Sequence, residues 1–144
     1  MTERMQALMD AAYARWQAND RWSRDQFRDQ LDAAERFAVS MGNMNYQVEN
    51  GGWKQWWDNG YAVPEVVGYI GRMLTQVDTE TSKEVRAIMG EFWQEVESID
   101  PKSVDEDEWQ DICAVDDELS PRFYKINAQF LKDCEEYIQK TWPH

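Results

Sequence analysis

Apolar residues recur with the period of an α-helix along most of this chain, and this pattern limits its fold more than any other feature. Near the start, apolar side chains at positions 5, 8, 9, 12, 13 and 16 have the spacing that places them on one stripe of an amphipathic helix. Further stripes of this kind lie within residues 27–41, 63–74, 85–96 and 123–138. No segment shows the sustained two-residue alternation that is typical of strands. The sequence therefore predicts an all-α fold of about six to eight helices.

Capping boxes and cap–proline pairs predict where these helices begin. In a capping box, the side chain of the cap residue accepts a hydrogen bond from the backbone N–H three residues later. The side chain of that later residue accepts one from the backbone N–H of the cap residue. A cap residue followed by proline also favours a helix start, because proline suits the first helical position. The four signals are the capping boxes Ser23/Gln26 and Thr81/Glu84 and the pairs Asp100-Pro101 and Ser120-Pro121. We expect a helix to begin at each, the first running to about residue 41.

The composition favours a folded acidic globule over a disordered acidic tail. The 144 residues are 42% hydrophobic and include eight Trp, which is enough apolar side chain for the core of one domain. Cys113 and Cys134 lack metal or redox spacing and lie among apolar residues, which favours core positions in a reducing compartment. The first ten residues lack the features of a secretory signal, and the apolar stretch 62–70 is too short to span a bilayer. We therefore expect a single domain over residues 1–144 in a cytoplasmic protein that does not enter membranes.

The negative charge is concentrated in one part of the chain. The net charge is −13, and residues 75–120 contribute −12 of it through fifteen Asp and Glu against three Lys and Arg. Clustered like charge opposes folding by self-repulsion and steers partners of opposite charge. Phosphates would be repelled, so we expect no direct binding of nucleic acid. The partner that this distribution favours is a basic protein, such as one whose own surface binds DNA.

The segment from Asn45 to Gly60, NYQVENGGWKQWWDNG, contains the most distinctive local pattern. Asn50-Gly51-Gly52 predicts that one helix ends and another begins, because Gly tolerates positive φ and Asn can cap. The three Trp that follow have the i, i+3, i+4 spacing of a helix packed into a core. The amides of Gln55 and Asn59 are expected to bind backbone groups that the break leaves free. We therefore assign Asn50, Gly51, Gly52, Gln55 and Asn59 roles in defining the fold.

At these residues the chain resembles a family of small, acidic, all-helical bacterial proteins, long labelled a domain of unknown function. The family pattern, N-G-G-aromatic-x-Q-aromatic-aromatic-x-N, is matched by Asn50, Gly51, Gly52, Trp53, Gln55, Trp56, Trp57 and Asn59. The ending LSPRFYKINAQFLKDCEEYIQ is similar to the family's terminal helix, so the resemblance spans about Tyr46 to Ile138. The family is typified by a neisserial DNA-mimic protein, a helical dimer whose surface carboxylates imitate duplex phosphates. The resemblance therefore implies an all-helical homodimer that blocks the DNA-binding face of a transcription factor.

The acidic stretch supplies the candidate partner-binding residues. If Trp109, Ile112 and Cys113 face inward, Asp107 and Asp111 lie one turn apart on the outer face, about 5.4 Å along the axis and near the spacing of successive phosphates. We expect such carboxylates to act as phosphate surrogates. The full candidate set is Glu91, Glu95, Glu97, Asp100, Asp105, Glu106, Asp107, Glu108, Asp111, Asp116, Asp117 and Glu118. The competing interpretation is that this run is simply a solvated helix face.

Other classes of function find less support in the sequence. The only histidine, His144, is the last residue, and no nucleophile–base set or phosphate-binding glycine loop occurs, so we do not expect an enzyme. A calcium loop counted from Asp105 lacks Gly at its sixth position and Glu at its twelfth, so we expect no metal site and no cofactor. Two alternatives to the DNA mimic stay open. One is an immunity-type inhibitor of a basic toxin such as a nuclease, and the other is a structural interaction protein with an incidental acidic face.

Overall fold

Seven α-helices and no strand make up the described part of the chain, residues 3–143 of a computed structural model. The helices are α1 (Glu3–Ala18), α2 (Arg24–Asp29), α3 (Ala33–Asp58), α4 (Pro64–Val77), α5 (Glu80–Val96), α6 (Glu106–Tyr124) and α7 (Asn127–Thr141). This confirms the predicted all-α fold and its number of helices. His144, the histidine considered above for catalysis, lies outside the described residues. None of these helices is both long enough and apolar enough to cross a membrane.

The longest helix, α3, packs against α1, α4, α6 and α7. It carries Trp53, Trp56 and Trp57, whose side chains are almost fully buried, so the prediction that these residues form core is confirmed. The Trp53 ring meets the Trp56 ring edge-on with centroids 5.6 Å apart, and the Phe123 ring edge-on at 5.3 Å. Each such aromatic pair adds about 0.5–1.5 kcal/mol beyond the area that it buries. All seven helices contribute side chains to the apolar cluster around these rings.

The segment after Ser23 forms two helices rather than the predicted one. The capping box of Ser23 and Gln26 is present and starts α2, but α2 ends at Asp29. A second capping box follows, in which the Asp32 side chain accepts from the Glu35 backbone at 2.8 Å and the Glu35 side chain accepts from the Asp32 backbone at 3.1 Å. This second box starts α3, so the apolar stripe that predicted a single helix is divided between two.

Helix α5 begins earlier than predicted. Its capping residue is Thr79, whose side chain accepts from the Ser82 backbone at 3.0 Å, while the Ser82 hydroxyl oxygen accepts from the Thr79 backbone at 2.9 Å. The Thr79 hydroxyl also donates to the buried carboxylate of Asp133 in α7 at 2.7 Å. The predicted capping box at Thr81 and Glu84 is wrong, because the tertiary bond to Asp133 favours Thr79 as the cap.

Both cap–proline signals are wrong as helix starts. Asp100-Pro101 lies in a turn, where the Asp100 carboxylate accepts a backbone N–H two residues later. Helix α6 begins after that turn, with a capping box formed by Asp105 and Glu108. Ser120-Pro121 lies inside α6, because the Ser120 hydroxyl donates to Asp116 one turn earlier instead of capping a new helix.

Three buried carboxylates connect helices at or near their N-terminal ends. Glu135 of α7 accepts from the Met5 backbone at 2.9 Å, in the first turn of α1. Asp133 of α7 accepts a hydrogen bond from the hydroxyl of Thr79, the capping residue of α5. Glu35 accepts two bonds from Arg15 of α1, one of them 2.8 Å long, and these bonds more than any other contact hold the pKa of Glu35 below its usual range. Because a helix N-terminus carries unpaired N–H groups and partial positive charge, a carboxylate there is stabilising.

We expect Arg15→Gln to destabilise the protein at neutral pH by about 1–2 kcal/mol, because it leaves the Glu35 carboxylate without its cation. The effect is modest because the Arg15 side chain is 41% exposed. Since Arg15 lowers the pKa of Glu35 in the folded state, the stabilisation is fully present above the unfolded pKa of about 4.3. It is lost as the pH falls through the lower folded value. Urea unfolding of parent and variant at about pH 7 and about pH 3 measures this change.

Lys83→Gln is the control, since the side chains of Lys83 and of its partners Asp78 and Glu80 are all exposed. This control should change the free energy of unfolding by less than about 0.5 kcal/mol at either pH. If the loss caused by Arg15→Gln were equally large in acid, the assigned role of the Glu35 carboxylate would be wrong.

Candidate functional site

Helix α3 is interrupted at Gly51 and Gly52. Gly51 has φ −154° and ψ 15°, and Gly52 has φ 82° and ψ 177°, so neither residue is helical. The Gly52 values fall in a region of backbone space that is open essentially to glycine alone. The predicted end of one helix and start of another at Asn50-Gly51-Gly52 is therefore confirmed.

Side chains of α6 supply the hydrogen bonds that start the second half of α3. The Asp116 carboxylate accepts from the Lys54 backbone N–H at 3.3 Å and from the Ser120 hydroxyl at 2.7 Å. The Ser120 oxygen in turn accepts from the Trp53 backbone N–H at 3.3 Å. Two N–H groups without partners in their own helix thus find acceptors on another helix, and the helix dipole favours the negative charge there.

A third residue of α6 binds the other side of the break. The Tyr124 hydroxyl donates to the Val48 carbonyl at 2.8 Å, near the end of the first half of α3. Burial raises the pKa of Tyr124 above its usual range, so the hydroxyl keeps its proton and stays a donor at physiological pH. Close by, Asn127 at the start of α7 donates to the Glu49 carboxylate at 2.6 Å. Helix α6 therefore binds both halves of α3. It binds the first half at the Val48 carbonyl and the second half at the backbone N–H groups of Trp53 and Lys54.

The amides of the glycine motif bind a side chain rather than the freed backbone. Gln55 and Asn59 both donate to the side-chain oxygen of Gln47, at 3.0 and 2.9 Å. The prediction that they bind backbone groups at the break is wrong, because side chains of α6 already do so. The two amides instead link the second half of α3 to the first across the break. Asn50 is exposed.

Asp116 is only 4% exposed, so the prediction that it is a surface phosphate surrogate is wrong. Its carboxylate lies against the break, where a Cβ atom on Gly52 would collide with it. The sequence contains a signal for this position. Asp116 lies four residues after Ile112 and three before Leu119, both of them buried, so it shares the apolar stripe of α6. Its position on that stripe, rather than its place in an acidic run, decides its role.

The other eleven candidate carboxylates are exposed, apart from the half-buried Glu95 and Glu108. Five of them lie on α6 and make no ion pair or hydrogen bond within residues 3–143. We call these five residues the acidic face: Glu106, Asp107, Asp111, Asp117 and Glu118. The acidic face is the largest group of candidates that is free to meet a partner, and Glu97 at the end of α5 is likewise exposed and without an ion pair in the described chain.

Several of the remaining candidates have structural partners. Asp105 and Glu108 form the capping box of α6, and Asp100 accepts a backbone N–H in the turn before it. Glu91 accepts from Arg122 at 2.8 Å. Acidic residues in the first turn of α6 also lie at the positive end of the helix dipole. Neutralising residues 105–108 would therefore disturb the start of α6 as well as remove surface charge.

The acidic face contains a row of carboxylates along α6. Asp107, Asp111 and Glu118 lie within about 40° of one another around the helix axis and span about 16 Å along it. A B-DNA duplex of that length carries about ten phosphate charges. The row alone is therefore sparser than a phosphate ladder. It is dense enough to attract a basic surface but does not copy the duplex charge for charge.

An exposed aromatic residue of α6 lies on the side of the helix opposite the carboxylate row, about 160–180° away around the axis. Of the three residues expected to face inward, Ile112 is fully buried, Cys113 is half-buried and Trp109 is 36% exposed, so the expected core position is confirmed for Ile112 and not for Trp109 or Cys113. The Lys54 ammonium lies 6.0 Å from the centroid of the Trp109 ring and 3.9 Å from the Cys113 sulfur. Trp109 thus offers exposed apolar area on α6 that is separate from the carboxylate row, and such area suits a protein partner.

Known proteins give no further guide to this surface. No protein-family model, curated protein or solved structure matches the chain. The family resemblance therefore stays a prediction that rests on the motif residues. Within residues 3–143, no group of three or more His, Cys, Asp and Glu is arranged to hold a metal ion. What the acidic face offers chemically is a set of hydrated carboxylates that attract cationic side chains.

We expect Gly52→Ala to destabilise the protein by more than about 2 kcal/mol, because alanine is strained in this backbone conformation and its Cβ would collide with the Asp116 carboxylate. Gly51→Ala should cost only about 1 kcal/mol. Its φ of −154° lies outside the left-handed region, but a Cβ atom there would collide with the Gln55 amide oxygen and lie 2.9 Å from the Gln55 Cβ. Rotation of the Gln55 side chain relieves the first contact, and the second requires a small backbone shift. Urea denaturation of both variants measures the difference. An equal loss, or a larger one for Gly51→Ala, would show that the contact between Gly52 and Asp116 is misassigned.

Proposed function

We propose that this protein binds the basic, DNA-binding surface of a regulator or defence protein and competes with DNA for that surface. The observation that carries the proposal is the acidic face, in which five exposed carboxylates on one helix have no cationic partner in the described chain. It lies in the stretch that holds nearly all of the net charge. Proteins that bind DNA contact its phosphates with Lys and Arg side chains, so the two surfaces are electrostatically complementary.

The acidic face contributes to association more through rate and specificity than through affinity. Exposed ion pairs are worth about 0–1 kcal/mol each, so five of them fall short of the roughly 8 kcal/mol that micromolar binding requires. Apolar contact has to supply the rest of the binding free energy. Exposed Trp109 lies on the other side of α6 from the carboxylate row, so a partner that contacts both has to reach around the helix. Long-range attraction speeds the encounter and weakens with added salt, since the Debye length at physiological ionic strength is about 8 Å.

Trp109 also favours a second candidate function, an immunity-type inhibitor of a basic toxin such as a nuclease. An exposed aromatic residue is not needed to imitate phosphates, whereas Trp residues often dominate the energy of protein–protein interfaces. An inhibitor of this kind covers an active site and need not follow the shape of a duplex. In that case Trp109→Ala should weaken binding more than the loss of any one carboxylate of the acidic face.

We expect the triple variant Asp107→Asn, Asp111→Asn, Glu118→Gln to bind the partner at least about tenfold more weakly at physiological salt, mainly through a slower association rate. The free energy of unfolding should stay within about 1 kcal/mol of the parent, because the three carboxylates neither cap a helix nor form an ion pair in the described chain. Of these three, only Asp107 lies in the first turn of α6, where the lost interaction with the helix dipole costs about 0.3–1 kcal/mol. The matched control removes three exposed carboxylates from other segments, Asp10→Asn, Asp20→Asn and Asp29→Asn. It changes the net charge equally and should bind like the parent.

The partner for this measurement is captured from a native cell extract on the immobilised parent protein and eluted in parallel by salt and by duplex DNA at constant ionic strength. A DNA-displaced partner that binds the triple variant more weakly, with a shallower salt dependence, supports the proposal. A partner that DNA does not displace favours the inhibitor. A partner bound equally by the parent and the triple variant, or saturable binding of the parent itself to duplex DNA, contradicts the role of the acidic face.

A further inference from the structure

A solvent-open groove of about 910 Å³ lies between α4 and α5. Small residues line much of it, namely Gly68, Gly71 and Thr75 from α4 and Ala87 and Gly90 from α5. Within each helix these residues are three, four or seven positions apart, so they form a line along one side. Two neighbouring helices joined by a short turn run antiparallel. A groove between such helices can bind a third helix.

The fold does not require glycine at two of these positions. A Cβ atom on Gly90 would meet no atom within 4 Å, and a Cβ atom on Gly71 would have its nearest neighbour at 3.8 Å, an ordinary van der Waals distance. Glycine is a poorer helix former than alanine, so each helix is less stable for having it. Gly90 therefore leaves a bare surface where a side chain would fit, and a bare surface lets another helix approach closely.

The groove is a positive region on a strongly negative chain. Arg72, Lys83 and Arg86 line it, together with a single acid, Asp78. Lys83 is paired with two acids, because its ammonium lies 3.7 Å from the Asp78 carboxylate and 3.5 Å from that of Glu80, so the positive charge of the groove comes from the two arginines. Arg72 and Arg86 make no ion pair within the described residues, although the chain contains 28 Asp and Glu.

The two arginine side chains lie over the glycines of α4. A terminal nitrogen of Arg72 is 3.5 Å from the Cβ position of Gly68, and the Nε atom of Arg86 is 4.0 Å from that of Gly71. A guanidinium group binds carboxylates with paired, charge-assisted hydrogen bonds. The groove thus has space for the backbone of another helix, and its two arginines make no ion pair with a carboxylate of the described chain.

We propose that this groove binds an acidic, amphipathic helix of another protein. Along α4 the lining runs from Val67 to Asp78, about 16 Å, which matches roughly eleven residues or three turns of the bound helix. Its carboxylates bind Arg72 and Arg86, and its apolar side chains contact the small residues that line the groove, beneath which the apolar side chains of Val67, Leu74 and Met89 are buried.

The occupant comes from a different protein rather than from a second copy of this one. The acidic helix of this chain is α6, and its apolar residues Ile112, Leu119 and Phe123 are buried in its own core. The inference is independent of the acidic face, because the groove attracts acidic segments while the acidic face attracts basic ones.

Two fluorescein-labelled peptides serve as probes, an acidic one of three EELAALE heptads and a basic one of three KKLAALK heptads. A third peptide has the acidic composition in scrambled order, so that it lacks an apolar face. Fluorescence anisotropy at physiological salt should show saturable binding of the acidic peptide, with a dissociation constant on the order of tens of micromolar. The scrambled peptide should bind at least about fivefold more weakly, since it cannot present an apolar stripe to the groove.

Two variants test where the acidic peptide binds. Gly90→Leu fills the groove and should weaken binding about tenfold while leaving the melting temperature equal or higher, because leucine is a better helix former. The double variant Arg72→Gln, Arg86→Gln should weaken binding at least about fivefold. The matched controls are Ala11→Leu on α1 and the pair Arg21→Gln, Lys132→Gln, all at exposed positions outside the groove. Both controls should bind the acidic peptide like the parent.

The outcomes separate this inference from the proposed function. Equal binding of the ordered and scrambled acidic peptides, or undiminished binding to Gly90→Leu, would overturn the groove proposal. Dimerisation of the parent that Gly90→Leu abolishes, measured by sedimentation, would assign the groove to a second copy and would also overturn it. Binding of the basic peptide reports on the acidic face, so it should fall in the triple variant Asp107→Asn, Asp111→Asn, Glu118→Gln and stay unchanged in both groove variants.

Discussion

The capping of the second half of α3 by Asp116 is the interaction on which the rest of the structure depends. A helix that stops and restarts leaves carbonyls without donors on one side and N–H groups without acceptors on the other. Each such group, once buried, costs about 1–3 kcal/mol if it stays unpaired. Asp116, Ser120 and Tyr124 supply these partners from one helix, so the break in α3 also fixes where α6 lies. That placement brings Phe123 against the ring of Trp53 in the core.

Carboxylates have two opposite uses in this acidic chain. Four of them, Glu35, Asp116, Asp133 and Glu135, are buried and accept hydrogen bonds at or next to a helix start. Such burial is tolerated because the negative charge is paired with N–H or O–H donors. The acidic face has no partner of this kind in the described chain, so its carboxylates stay hydrated and repel one another. In the proposed function, cations of a bound protein relieve that repulsion.

The helical fold can be predicted from the sequence because the apolar period reports burial directly. The starts of the helices cannot be predicted so well, because distant residues select them. Thr79 and Thr81 are both plausible caps, and what favours Thr79 is Asp133, 54 residues away. The break in α3 is similar: two adjacent glycines predict it, whereas the capping Asp116 lies 62 residues after the Lys54 amide that it binds. Only the helical stripe of α6, which includes Asp116 but not Asp117, hints at this contact.

A comparison of Asp116→Ala with Asp117→Ala tests the central claim most directly. The two acids are neighbours in the same run, but one is buried at the break and the other is exposed. The measurements are the free energy of unfolding and the amide hydrogen exchange of Trp53 and Lys54. We predict that Asp116→Ala costs about 2–3 kcal/mol and speeds exchange at both amides, while Asp117→Ala stays within about 0.5 kcal/mol of the parent. If Asp116→Ala unfolds like the parent and loses only partner binding, Asp116 is a surface residue and this account of the α3 break is wrong.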